Sequence, residues 1–142
     1  MKIVVAMESE LSLVPKCMHD RCIVTGVGAL NVIRALDPLD RDEIIYNIGY
    51  AGSNSLPVGM RVLVGDVSLY HPNAEFESPT YFLGGDVPCF TSNDFVLSSD
   101  IEVPCVFDME LAYIPTLGFK HVVAEKVVSD NLDMKQFETF TG

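Results

Sequence analysis

An α/β fold, three-layered with a mostly parallel or mixed central sheet, is the architecture this sequence predicts. Three observations predict it. Short β-branched apolar runs alternate with helix-like stretches along the chain. Small residues follow several of these runs, as in Gly26-Val27-Gly28 and Gly49-Tyr50-Ala51-Gly52. Carboxylates stand at or just beyond the ends of three runs: Ala6-Met7-Glu8-Ser9-Glu10, Phe107-Asp108-Met109-Glu110 and Val127-Val128-Ser129-Asp130. In an α/β fold the carboxyl ends of strands converge on one crevice, where ligands bind. Three acidic strand ends meeting there suit acid–base chemistry that needs neither a metal nor a nucleophilic side chain, as in cleavage of an N-glycosidic bond.

The elements follow in order. Residues 2–6 form a short β-branched run and read as a buried strand. Residues 8–16 suit one or two helical turns, ended near Pro15. Residues 22–25 are strand-like and run into Gly26. Residues 29–36 read as a helix stopped before Pro38. Residues 43–48 form a strand that delivers its end to Gly49. Residues 61–70 alternate around Val62, Val64, Val67 and Leu69, with Gly65 marking a bulge. Residues 72–88 are turn-rich. A strand over 101–107 precedes a helix over 109–117, closed by Gly118. Residues 120–128 are the last long strand, and 134–141 a terminal helical turn or two. No repeat, low-complexity tract or linker divides the 142 residues, so one domain is expected over 1–142.

Composition narrows the function. Nine Lys plus Arg face twenty Asp plus Glu, a formal charge of -11. Such a surface repels phosphate backbones, which argues against nucleic acid as a partner. No run reaches the roughly 18 apolar residues that span a membrane. Glu8 and Glu10 interrupt the apolar N-terminus, which argues against a secretory leader. The four cysteines (Cys17, Cys22, Cys89, Cys105) form no CxxC pair, and their apolar neighbours point to buried, reduced thiols in a cytoplasmic protein. His19, His71 and His121 lie near no cysteine pair, so neither a zinc site nor any other cofactor is expected. A mean hydropathy of +0.28 in so small a chain argues for a homodimer.

Each constellation has a plainer reading beside the functional one. Gly26-Val27-Gly28 can bring backbone N–H groups to a ligand, or be a simple strand–helix turn. The same holds for Gly49-Tyr50-Ala51-Gly52. Glu10 can hold and deprotonate a water, or be a solvated charge at a helix start. Glu110 can accept hydrogen bonds from two vicinal ribose hydroxyls over an adaptable Met109 floor. Alternatively, Asp108 is an N-cap and Glu110 an early-turn acid. Asp130 beside Ser129 can protonate a leaving base from a dry pocket, or belong to a turn with Asn131 and Asp133. Phe95, within Thr91-Ser92-Asn93-Asp94-Phe95-Val96, can stack on a purine or sit in the core.

Taken in order, the set AMESE (6–10), TGVGALNV (25–32), NIGYAG (47–52), VGDV (64–67), TSNDFV (91–96), DMELAYI (108–114) and SDNLD (129–133) resembles the nucleoside phosphorylase/nucleosidase superfamily, in particular its 5′-methylthioadenosine/S-adenosylhomocysteine nucleosidase branch, in a shortened form. The resemblance implies an N-ribosyl hydrolase that releases adenine. In it Glu10 matches the acid that activates water and Asp130 the acid that protonates N7 of adenine. Met109 and Glu110 match the ribose-binding pair, Phe95 and Val96 the purine-contacting pair, and Ser129 the neighbour of the catalytic acid. Tyr50 stands where the family has a small hydroxyl residue beside the water or phosphate, Lys126 where it has an arginine, and Asn93 where it has an aspartate. The family's common dimer agrees with the hydropathy argument.

Three alternatives remain open at this level, the blandest being an oligomeric scaffold with a decayed pocket. A nucleoside phosphorylase needs a cationic cradle for phosphate; Glu10 and the scarcity of arginines (Arg21, Arg34, Arg41, Arg61) favour water instead. A non-catalytic adenine- or nucleoside-binding protein on a reduced version of the fold is motivated by Tyr50.

Overall fold

The computed structural model describes residues 1–71 and 78–142. The chain runs through β1 (Lys2–Val5), two 3-10 turns (Glu8–Leu13 and Lys16–Arg21), β2 (Cys22–Val24), α1 (Ala29–Leu36) and β3 (Ile44–Ser53). It continues through β4 (Arg61–Leu69), β5 (Tyr81–Phe82), β6 (Val87–Thr91), β7 (Val106–Asp108), α2 (Tyr113–Thr116), β8 (His121–Asp130) and α3 (Met134–Thr141).

These strands make one mixed sheet. β1 lies between β2 and β3, parallel to both. β3 pairs in parallel with β8, which runs antiparallel to β4. β4 pairs with β6 in parallel and β5 antiparallel; β6 pairs with β7 in parallel, and β7 returns antiparallel to the end of β3. The sequence β3–β8–β4–β6–β7–β3 therefore closes on itself, while β1 and β2 extend from its seam. Val64, Val67, Val106 and Val128 of its strands belong to the main buried cluster, together with Ile114 of α2. Burying each such aliphatic side chain stabilises the fold by about 1.5–3 kcal/mol. A second, smaller cluster of Ile3, Val5, Val14 and Ile48 packs the other face of β1 and β3 under the 3-10 turns.

α1 spans the expected residues, and it presents Val32 and Leu36 to the core with neither exposed. β4 carries the expected irregularity: its register against β6 shifts between Val64 and Val67, around Gly65. Other boundaries move. The region 8–16 is one 3-10 turn, and a second follows after Pro15. β3 does not stop at Gly49 but runs on through Ser53. The expected strand over 101–107 is confined to Val106–Asp108. The Asn54 side chain instead ties down the preceding loop, donating to the carbonyls of Ile101 and Val103 (2.8 Å each) and accepting from Cys105 N–H (3.1 Å). The helix expected over 109–117 forms only over Tyr113–Thr116. Within the turn-rich region 72–88, residues 72–77 lie outside the described residues, and β5 and the start of β6 appear beyond them. Cys89 and Cys105 are buried free thiols as expected, whereas Cys17 is exposed and Cys22 half-buried. No helix among the described residues is long and apolar enough to cross a membrane.

Candidate active site

The seam where β1 and β7 share one edge of β3 positions the site. β1 covers that edge as far as Asn47, and β7 covers it from Gly52 onward. Residues 48–51 lie between the two ladders. A carboxylate enters this gap: Glu10 Oε2 accepts from Tyr50 N–H at 2.8 Å. Oε1 accepts from the N–H groups of Ala6 (2.7 Å) and Met7 (3.0 Å) at the end of β1. Glu10 is 3% exposed, so it is not a solvated helix-start charge. Gly49 permits this approach, since a Cβ there would lie 2.5 Å from Glu10 Oε2. A carboxylate offers about four lone-pair directions. Three are occupied by amides, and the fourth remains on Oε2.

A bulge aims the second acid. The register between β3 and β8 slips after Ala51, so that Ala51 faces Val128 and Gly52 faces Asp130, with Ser129 as the extra residue. Bulges of this kind redirect side chains beside functional sites. Asp130 is fully buried. Its Oδ1 accepts from Ser129 Oγ (2.7 Å), and its Oδ2 from Leu132 N (3.0 Å) and Asp133 N (3.2 Å). Gly52 lies against it: a Cβ there would come within 3.0 Å of Oδ2. The turn reading of 129–133 is thus also true, because Asp130 holds the turn that leads into α3. Asp133 then caps that helix by accepting from Gln136 N–H at 2.9 Å.

The third acidic strand end is β7. Asp108 caps the following turn, its Oδ2 accepting from Leu111 N (2.8 Å) and Glu110 N (3.4 Å). It also pairs with Lys126 Nζ at 3.0 Å, both side chains being essentially without solvent. Burial alone would raise the Asp108 pKa. The Lys126 charge, with hydrogen bonds from Thr91, Lys126 and Leu111, outweighs it and holds the carboxyl below its ordinary range. Lys126 is held charged in return: burial opposes the cation, and Asp108 foremost outweighs burial and raises its pKa.

Glu110 reaches across to α1, where Oε2 accepts from Gly28 N–H at 2.9 Å. Gly28 sits at φ +91, a conformation that favours glycine, so the Gly26-Val27-Gly28 turn does supply a backbone donor to the site. Burial first, and then the neighbouring Asp108 charge, push the Glu110 pKa up to about 7, against the opposing pull of Lys126 and the Gly28 N–H.

Glu10, Glu110 and Asp130 line one cavity of about 260 Å³, with Tyr50, Phe95, Met109 and Ser129 also in its wall. A recess of about 30 Å³ shares Phe95, Met109 and Asp130 with it and is bordered by Val96. Of the predicted catalytic and substrate-binding residues, seven line this cavity and Val96 borders the recess. Phe95 is half-buried at the cavity and packs edge-on against Phe137 of α3, with centroids 5.4 Å apart. The Tyr50 ring meets Phe140 of α3 at 6.0 Å.

Sequence reasoning missed what four residues contribute. Met134 and Phe137 of α3 line the cavity; the amphipathic pattern of 134–141 was the available signal. Lys126 is the buried counter-charge of Asp108. In β8 it faces inward while Glu125 faces out to Tyr46 and Arg61, the strand alternation that an apolar run with two adjacent charges contained. Thr91 Oγ1 donates to Asp108 Oδ1 at 2.5 Å, a pairing no local pattern announces. Among the described residues no cluster of three or more His, Cys, Asp or Glu is placed to hold a metal ion.

The closed mixed sheet and its helices share their fold with solved nucleosidase structures. The solved structures it matches include the 5′-methylthioadenosine/S-adenosylhomocysteine nucleosidase of Neisseria meningitidis in complex with methylthio-immucillin-A, at TM-score 0.77 and 20% identity over 99% of this chain and 90% of that one. The corresponding nucleosidase of Colwellia psychrerythraea, in complex with adenine, matches at TM-score 0.79 and 17% identity over 99% and 87% of the two chains. A futalosine hydrolase mutant of Helicobacter pylori matches at TM-score 0.77 and 13% identity over 99% and 90%. No family model and no curated protein matches the sequence.

Proposed function

We propose that the protein is an N-ribosyl hydrolase that cleaves the N-glycosidic bond of a purine nucleoside of the 5′-methylthioadenosine/S-adenosylhomocysteine kind and releases adenine. The observation that carries this reading is the convergence of Glu10, Glu110 and Asp130, from three separate strand ends, on one cavity. The neighbours' complexes with adenine and with a nucleoside analogue support the ligand class.

Glu10 holds the attacking water at its remaining Oε2 lone pair and takes its proton. Asp130, with its acceptor positions filled except one on Oδ1, carries the proton there and gives it to N7 of the departing base; Ser129 orients it. Glu110 binds the ribose hydroxyls over Met109, and Phe95 with Val96 contacts the purine. Two carboxyl groups in opposite protonation states on opposite sides of an oxocarbenium-like sugar are the arrangement of an inverting glycosidase. Each contributes ~10²–10⁴-fold. Hydrolysis is favoured over phosphorolysis because no Lys, Arg or His is among the described residues that line the cavity. The protein acts in the cytoplasm as a homodimer in this reading.

Adenine release from 5′-methylthioadenosine, S-adenosylhomocysteine, adenosine and inosine, with and without phosphate, tests this. Phosphate-independent release that disappears in Asp130→Asn is the expected result; release that requires phosphate makes the protein a phosphorylase. Tyr50 favours one second reading, a non-catalytic adenine- or nucleoside-binding protein, since a bulky ring stands where a water-side hydroxyl is usual. Saturable adenine binding without turnover of any of the four substrates would establish it.

A further inference from the structure

The carboxylate assigned to the ribose sits on a turn that no helix stabilises. α2 begins only at Tyr113, so Glu110, Leu111 and Ala112 lie ahead of its ladder. Their three amides all end on two side chains. Glu110 N and Leu111 N donate to Asp108 Oδ2 (3.4 and 2.8 Å), and Ala112 N donates to Thr91 Oγ1 at 3.0 Å. The same Thr91 hydroxyl donates to Asp108 Oδ1 at 2.5 Å. Thr91 lies at the end of β6 directly opposite Asp108 of β7, and it is 1% exposed. One buried hydroxyl thus joins two strand ends to the turn. Through its own side chain, Glu110 has one protein partner among the described residues, the Gly28 N–H. Its place in the cavity is therefore set by its backbone.

We propose that Thr91 is a positioning residue for ribose recognition, fixing Glu110 through Asp108 and the backbone of the 110–112 turn. This rests on the assignment of Glu110 to the ribose. Lys126 neutralises Asp108 but cannot replace Thr91, because it has no acceptor to offer Ala112. Cys89 Sγ, 3.4 Å from the same Asp108 oxygen, is a weaker donor and also leaves Ala112 N–H unpaired.

The test compares Thr91→Val, which keeps the shape and removes both bonds, with Thr91→Ser, which restores them. Calorimetric affinity is measured for adenine, for 5′-methylthioadenosine in an Asp130→Asn background, and for its 3′-deoxy analogue. Amide exchange is followed at Leu111 and Ala112. The valine variant should bind the nucleoside about tenfold more weakly or worse, the scale of a lost bond to a charged group. Its preference for the 3′-hydroxyl should collapse, adenine affinity should stay within about twofold, and exchange at Ala112 should quicken. Serine should recover all of these. A folded valine variant with intact preference for the 3′-hydroxyl overturns the proposal, and so does an equal loss of adenine and nucleoside affinity. If valine prevents folding, Thr91→Ala, which leaves room for a water, is measured against serine by the same criteria. A parent protein that binds adenine but prefers no ribose hydroxyl overturns the ribose assignment of Glu110 and this inference with it, whereas an intact preference in the valine variant overturns the inference alone.

Discussion

Gly49→Ala is the smallest change that separates the geometry of Glu10 from its chemistry. The new methyl carbon would lie 2.5 Å from Glu10 Oε2, 3.1 Å from Cδ and 3.4 Å from Oε1. Oε2 must withdraw by about 0.9 Å to reach ordinary contact near 3.4 Å, starting from 2.5 Å. The Tyr50 N–H bond to that oxygen, now 2.8 Å, then stretches beyond hydrogen-bonding range. Because the other oxygen is tethered to Ala6 and Met7, the carboxylate can only swing, and its free lone pair swings with it. The lost bond to a charged group costs about 1.5–3 kcal/mol of stability. A misplacement near 1 Å lowers the chemical step by ~10²-fold. In a steady-state assay of adenine release from 5′-methylthioadenosine, kcat should fall by that factor while KM changes little, since no base- or ribose-contacting residue moves. A folded Gly49→Ala protein with the parent kcat would refute the placement of water on Glu10.

Other changes probe the remaining groups. Glu10→Gln and Asp130→Asn should each abolish adenine release while circular dichroism shows the fold intact. Lys126→Met leaves Asp108 buried without its counter-charge and should destabilise the protein by about 3–5 kcal/mol in urea unfolding. Glu110 is an acid whose pKa, about 7, lies above the ordinary value of 4.5. Its contribution to stability is therefore fully present below pH 4.5 and is lost as pH rises through about 7, so the stability difference between the parent and Glu110→Gln should fall across this window. Over the same rise the carboxylate becomes a better acceptor for ribose hydroxyls, so KM for the nucleoside should drop while adenine affinity stays level.

Much of this was legible because it is local. The β-branched run of β1, the punctuation of α1 by Gly28 and Pro38, and the glycine irregularity in β4 are each written in neighbouring residues. So is the presence of an acid at three strand ends. What was not legible depends on residues far away in sequence. β6 was not predicted because Val87-Pro88-Cys89-Phe90-Thr91 is short and contains a proline, and its first two residues close the turn-rich stretch 72–88. The strand before Asp108 was overestimated because Asn54, about fifty positions earlier, takes the loop's backbone groups and keeps them from pairing. The helix after Asp108 was overestimated because Asp108 and Thr91 capture the amides of residues 110–112 before a helical ladder begins. Lys126 stands in an otherwise apolar strand, and only the closure of the sheet makes it the partner of Asp108.

The seam between β1 and β7 has a consequence for how this protein can change. Enzymes commonly gain stability when a catalytic group is removed, because such groups are held in unfavourable surroundings for the sake of activity. Here Glu10 stands in for a missing strand partner, and Asp130 clamps the turn that carries α3. Truncating either to alanine would take the acceptor from N–H groups of the scaffold itself, three at Glu10, of which that of Ala6 is buried, and two at Asp130. With Glu10 and Asp130 in their proposed roles, the usual trade of activity for robustness is closed at both positions, so drift away from function would have to begin elsewhere, at the apolar cavity wall of Met134 and Phe137, whose side chains offer the backbone no strong hydrogen-bonding group.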